Sequence, residues 1–165
     1  MNNKDNEKVF ELGLNLFRDD DEIPLFKSAL SFYVKELSYV IVDNGNNGNN
    51  GNNDNIVGFA LVCKKMTHIY KKFMTGIPNC YELSFFGVNP EYQGKGYGSQ
   101  CLRITLSSIY RECINFNCWL IVDKINNKAI KMYQNYGFRK WFEIYDKYPS
   151  YIMGLSYRRW RILKN

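Results

Sequence analysis

The chain has 165 residues, 45% of them hydrophobic and 16% aromatic, which is enough to bury one good core and points to one domain over residues 1–165. Its formal net charge of +6 favours an anionic partner, but the basic residues are scattered among acids, which argues against a dedicated nucleic-acid arm. Five cysteines with no CxxC pair and one histidine leave no His/Cys metal cluster, and neither a signal-peptide core nor a membrane-length run of ~20 apolar residues is present. The expectation is a cytoplasmic protein, with the nucleus left open, that carries reduced thiols, needs no metal and does not enter a membrane.

The opening "EKVFELGLNLFRDD" fits either a strand or a short helix. In "DEIPLFKSALSFYVKEL" the acids and Pro24 precede Leu25, Ala29, Phe32, Tyr33 and Leu37 at helical spacing, which predicts a helix over about 23–36. The β-branched and aromatic stretches "LSYVIVD" (37–43) and "NIVGFALVCK" (55–64) read as a hairpin. Between them "NGNNGNNGNNDN" (44–55) is a GNN repeat without an apolar residue, read as a disordered loop that a hairpin tip tolerates at little entropic cost. The basic, aromatic connector "KMTHIYKKFMTGIP" has no firm assignment, and its His68 is taken as incidental.

The second half is clearer. "CYELSFFGVNP" (80–90) is an apolar strand stopped by Asn-Pro, and residues 96–116 carry Leu102, Leu106, Ile109, Cys113 and Phe116 on one helical face. "CWLIVD" (118–123) is a short buried strand, and "NNKAIKMYQNYG" a helix closed by Gly137. "FRKWFEIYDKY" and "SYIMGLSYRRWRIL" read as two final strands. The alternation of strand and helix implies a βαβ core with at least one parallel pair.

The informative stretch is "VNPEYQGKGYGSQCL", where a strand ends, small residues turn the chain and a helix begins. A P-loop would need GxxxxGK followed by Ser or Thr, whereas Lys95 is followed by Gly96; a dinucleotide fingerprint would need GxGxxG, whereas Gly94, Gly96 and Gly98 run GxGxG and Ser99 follows. What remains is the physics common to both: unpaired N–H groups and the positive end of a helix dipole aimed at an anion. Amides from Gly94 to Ser99 are able to wrap a pyrophosphate, because glycine lets it come close.

Gln93-Gly94-Lys95-Gly96-Tyr97-Gly98 resembles the QxxGxG signature of the GCN5-related N-acetyltransferases, and the resemblance extends over roughly residues 80–145, through "NNKAIKMYQNYGF" with Asn126, Ala129, Tyr133 and Gly137-Phe138. It implies a mixed α/β acyl-CoA N-acyltransferase fold: a mostly antiparallel mixed sheet with a splayed parallel pair, flanked by helices. It also implies acetyl-CoA as co-substrate, a primary amine as acceptor, and direct attack in a ternary complex. The first half matches only in outline, and "VFELGLNLF" does not show the family's opening strand.

By the same resemblance, acetyl-CoA is held by Phe86, Gly87 and Val88 through strand-like pairing with the pantetheine arm, and by Gln93, Gly94, Lys95, Gly96, Tyr97, Gly98 and Ser99 at the pyrophosphate, with the Val88 amide facing the thioester oxygen. Asn126, which suits a helix cap, is placed to reach the pantetheine amides, with Asn127 competing for that role. Glu82, eleven residues before Gln93, is the candidate base: alternation sets Glu82, Ser84, Phe86 and Val88 on one strand face, and apolar burial raises a carboxylate's pKa toward a useful range. The competing interpretation is a surface glutamate paired with a lysine. Tyr133 is the candidate acid for the departing thiolate, a phenol near ~10 being matched to a thiol. Asp123 is read as structural, and Tyr148, Tyr151 and Tyr157 are offered as acceptor-site residues by their position alone.

The acceptor is open between a small-molecule amine and a protein lysine or N-terminus; the acidic run Asp19 to Glu22 is one place that attracts a cation. A noncatalytic acyl-CoA-binding module is the alternative, keeping the glycine turn without needing Glu82 or Tyr133. RNA binding through "HIYKKF" is a weaker third, and a homodimer is left open.

Overall fold

The apolar residues of the opening segment recur at helical spacing, and the segment winds into α1 (Asp5–Leu16), burying Val9, Leu12 and Gly13. This comes from a computed structural model that describes residues 1, 4–17, 21–43, 55–64, 77 and 79–164. Helix α2 (Glu22–Phe32) buries Phe26 and Ala29 and stops short of residue 36, because Tyr33 turns extended and bridges Cys63. A single 3₁₀ turn, Lys35–Leu37, leads into the sheet. His68 and the rest of "HIYKKF", Asp19 and Asp20, and the GNN repeat apart from Asn55 lie outside the described residues.

The sheet has six strands: β1 (Tyr39–Asp43), β2 (Asn55–Cys63), β3 (Cys80–Val88), β4 (Asn117–Asp123), β5 (Arg139–Ile144) and β6 (Ser150–Ser156), in the spatial order β1-β2-β3-β4-β6-β5. Every neighbouring pair is antiparallel except β3 and β4, which run parallel across the connection through α3 (Tyr97–Glu112). Helix α4 (Asn127–Asn135) returns the chain from β4. The last segment divides: β6 gives way at Tyr157 to α5 (Tyr157–Lys164), a helix that the strand reading of "SYIMGLSYRRWRIL" missed.

Two apolar layers sandwich the centre of the sheet. On one face α1 and α2 press Val9, Leu12, Phe26 and Ala29 onto Phe59, Leu61 and Cys63. On the other, α3 and α4 bury Leu102, Leu106, Ile109, Ile130 and Tyr133 with Ala60, Val62, Leu120 and Phe138. Among the described residues no helix is long and apolar enough to cross a membrane.

Candidate functional site

Parallel pairing between β3 and β4 is short. Cys80, Tyr81 and Glu82 match Asn117, Cys118 and Trp119, and beyond that rung the strands part. Leu83 to Val88 therefore leave a slot along β3 that is roughly 20 Å long at ~3.3 Å per residue.

The ladder with β2 decides which backbone groups face this slot. Asn89 N–H donates to the Val57 carbonyl at 2.8 Å, so by antiparallel alternation Gly87 also pairs with β2, while the amide and carbonyl groups of Phe86 and Val88 turn toward the slot. Gln93 fixes the strand end by donating from Nε2 to the Val88 carbonyl at 2.9 Å. A Cβ at Gly87 would sit 2.5 Å from Leu16, so glycine here lets α1 close on the strand while its backbone still lines the cleft.

The turn that follows is open. Gly94 and Gly96 hold φ of 78° and 88°, left-handed backbone that favours glycine, and beyond the chain neighbours no heavy atom of the described residues lies within 4 Å of a Cβ built at either. Gly96 caps α3 without a side-chain hydrogen bond, and the first intrahelical bond closes from Gln100 N–H to the Gly96 carbonyl. The amides of Tyr97, Gly98 and Ser99 thus begin the helix without intrahelical partners. Helix α4 lies alongside, with the Tyr136 hydroxyl donating to the Ser99 carbonyl at 2.8 Å and Met132 sulfur 3.6 Å from a Cβ built at Gly98. At its start Asn126 caps α4 by accepting from Ala129 N–H at 3.1 Å, while Asn127 is the first helical residue and makes no such cap.

One cleft of about 750 Å³ joins these parts, lined by β3 from Glu82 to Val88, by Gln93, Gly94, Gly96, Gly98 and Ser99, by Asn126 and Tyr133, and by Leu16, Phe17, Glu22 and Leu25 from the other side of the sheet. Lys95 and Tyr97 do not line it: the Lys95 ammonium lies 4.9 Å from the Tyr92 ring centroid and the Tyr97 ring packs near Tyr92. Tyr148, Tyr151 and Tyr157 are also elsewhere. Lys147 sits over Tyr148, Lys124 and Lys140 over Tyr151, and Tyr157 stacks on Tyr110, so position near the C-terminus does not bring them to the cleft.

Glu82 and Tyr133 both reach the cleft, but from opposite faces. Leu61 pairs with Phe85 and Val62 with Leu83, so Ser84 is an extra residue that breaks the alternation. Phe86 and Val88 both approach Gly98 of α3, on the face that carries Tyr81 and Leu83, whereas Glu82 shares the other face with its rung partner Cys63 and with Phe85, contrary to a single shared face. Glu82 is only 4% exposed, the opposite of a surface residue. Burial, with the Glu82 charge added, pushes the Cys63 and Cys80 thiols up to about 11.

Tyr133 is buried, its ring edge-on to Phe86 at 6.3 Å and tilted on Phe138 at 5.7 Å. Burial raises its phenol pKa well above the ordinary 10.0, with the Cys118 thiol contributing further. Asp123 lines the cleft mouth and accepts from the Ser150 hydroxyl at 3.1 Å. Sequence reading missed the α1–α2 side, Leu16, Phe17, Glu22 and Leu25, because only folding brings those helices to β3. Met132 was legible in principle, one turn before Tyr136 on the face of α4 that meets α3.

The family model described as Acetyltransferase (GNAT) family matches residues 9–138. The spermidine N(1)-acetyltransferase of Escherichia coli (strain K12) is 37% identical over 51 residues, 31% of this chain and 27% of that protein, so the match spans about a quarter of that relative's length. Among solved structures, Ard1 from Thermoplasma volcanium superposes with a TM-score of 0.71 at 19% identity over 94% of this chain and 93% of that one. The ribosomal-protein-S18-alanine N-acetyltransferase from Escherichia coli gives 0.67 at 18% identity over 94% and 90%. Arabidopsis thaliana NAA60 in complex with acetyl-CoA gives 0.70 at 18% identity over 94% and 95%.

Proposed function

The chain belongs to the acetyltransferase (GNAT) family, and from that premise we propose that it is an acetyl-CoA-dependent N-acetyltransferase that passes acetyl to a primary amine by direct attack in a ternary complex. One observation carries this function: the slot where β3 leaves β4 has strand-like backbone groups along its wall and opens at its end onto the glycine turn and the α3 N-terminus. That is the shape and polarity of an extended arm ending in a pyrophosphate.

Bound there, acetyl-CoA supplies an acyl group activated as a thioester. Phe86 pairs with the arm as a neighbouring strand would, and Asn126 stands at its side. The amides from Gly94 to Ser99 hold the pyrophosphate. Val88 N–H donates to the carbonyl oxygen as negative charge gathers on it during attack. Glu82, from the α1–α2 face, takes a proton from the acceptor ammonium, directly or through water, and the freed lone pair forms the C–N bond. Tyr133, from the α3–α4 face, gives its proton to sulfur as the C–S bond breaks, and the second proton that nitrogen sheds as the amide forms passes to water, from which the phenol is restored. Acid and base therefore work across the slot from opposite sides of the sheet, and the product amide leaves on the side of Leu16, Phe17 and Leu25.

Direct transfer predicts acetylated amine and free CoA in equal amounts, with no acetylated protein by intact mass; a covalent acetyl-protein competent for turnover would contradict it. The pH dependence follows from Tyr133. Burial raises its pKa, so the acid form persists to higher pH than for an exposed phenol, and its contribution is lost only above the ordinary 10.0. The rate should climb as the amine becomes neutral and show no Tyr133-dependent fall below about pH 10. A downturn at about pH 8–9 that the Tyr133→Phe variant lacks would rule that role out.

A further inference from the structure

The expected phosphate-binding lysine, Lys95, points its ammonium at Tyr92 and is absent from the cleft wall, which leaves the glycine turn with amides alone on its own segment. Among the described residues lining the cleft, Lys128 is the one cation. It lies in the first turn of α4, one turn before Met132 and two before Tyr136. Those two residues pack on Gly98 and bind the Ser99 carbonyl. Lys128 thus stands on the helix face that runs along the α3 N-terminus, at a spacing of about 6 Å for each four-residue step and within reach of a side chain that extends a similar distance. Its ammonium makes no ion pair or hydrogen bond among the described residues.

We propose that Lys128 is the residue that neutralises a phosphate of bound acetyl-CoA, taking the part expected of Lys95. This rests on the acetyl-CoA reading of the cleft. Amides satisfy phosphate oxygens by direction but carry no net charge, and a lysine on a facing helix adds the counter-charge without intruding on the turn. The ligand is a phosphate of the nucleotide end, either the pyrophosphate or the ribose 3′-phosphate.

The test measures affinity for acetyl-CoA, acetyl-dephospho-CoA and acetyl-pantetheine in wild type, Lys128→Ala, Lys128→Arg and Lys95→Ala. Lys128→Ala should weaken acetyl-CoA by roughly three- to tenfold at low salt, with the difference shrinking as salt rises. It should leave acetyl-pantetheine unchanged, and Lys128→Arg should restore most of the loss. If the penalty persists with acetyl-dephospho-CoA the pyrophosphate is the partner, and if it vanishes the 3′-phosphate is. Equal weakening of acetyl-pantetheine, no weakening of acetyl-CoA, or a larger loss from Lys95→Ala overturns the assignment to Lys128. Failure of the wild type to bind acetyl-CoA would instead overturn the function on which it rests. Alanine is a good helix former at this exposed position, so folding is preserved.

Discussion

Tyr133→Phe lowers kcat by about 10²- to 10³-fold while leaving acetyl-CoA affinity within about twofold. The substitution removes one oxygen and keeps the ring that Phe86 and Phe138 hold. The hydroxyl makes no hydrogen bond among the described residues, so its loss leaves no stranded protein partner and the fold should keep its stability. What changes is the fate of the leaving sulfur. With a phenol at hand, the C–S bond breaks as a thiol forms; with phenylalanine, a thiolate must depart into a buried, apolar corner where charge is poorly solvated. A step that depends on that proton slows, and one that only binds the arm does not. A noncatalytic acyl-CoA-binding module would show no turnover to lose, and wild-type kcat in the variant would remove Tyr133 from the chemistry.

Gly96→Val should raise the acetyl-CoA Kd by roughly 10- to 100-fold, the worth of one or two charge-assisted amide contacts. Gly96 holds φ of 88°, a conformation that costs a β-branched residue about 1–2 kcal/mol, so the turn relaxes toward ordinary backbone and its amides lose their common aim. Among the described residues nothing beyond the chain neighbours lies within 4 Å of a Cβ at this position, so the side chain itself meets no obstacle. The damage is therefore to the cradle and to whatever approaches it. Gly96→Asn separates the two, because asparagine tolerates left-handed backbone and adds bulk alone. A Gly96→Val protein that unfolds normally and binds acetyl-CoA as wild type does would contradict the pyrophosphate assignment.

How far sequence reached can be judged residue by residue. The β3–turn–α3 unit and the Asn126-capped helix were legible because their signals are local: an Asn-Pro stop, positive-φ glycines, a cap three residues before the amide it satisfies. The mixed, mostly antiparallel sheet with its splayed parallel pair was reached through family resemblance, which the fold bears out, whereas the order of the strands was not read from sequence. What local pattern does not carry is strand register. One extra residue, Ser84, turns Glu82 to the face opposite Phe86 and Val88, and strict alternation gives no hint of it. The orientation of Lys95 was lost for a similar reason, since its partner Tyr92 lies in a turn whose geometry only folding fixes. The opening segment was ambiguous by period alone and resolved to α1 through packing on β2, with Phe17, Phe26, Phe59 and Phe85 forming one aromatic wall.

The same wall bounds the side from which the proposed mechanism brings the acceptor. It is apolar at Leu16, Phe17 and Leu25, with the carboxylates of Glu22 and Glu82 on its margins, so it suits a cation on an apolar stem better than an acidic group. Small amines, lysine side chains and peptide N-termini all meet that description.

The measurement that bears most directly on the central claim is CoA thiol release from acetyl-CoA across a panel of aliphatic monoamines, polyamines, lysine peptides and peptides with free N-termini, run beside Tyr133→Phe. Acetyl transfer through the β3–β4 slot predicts release with at least one class of amine, in step with its acetylation and lost in the variant. Saturable acetyl-CoA binding with no release from any amine would contradict it.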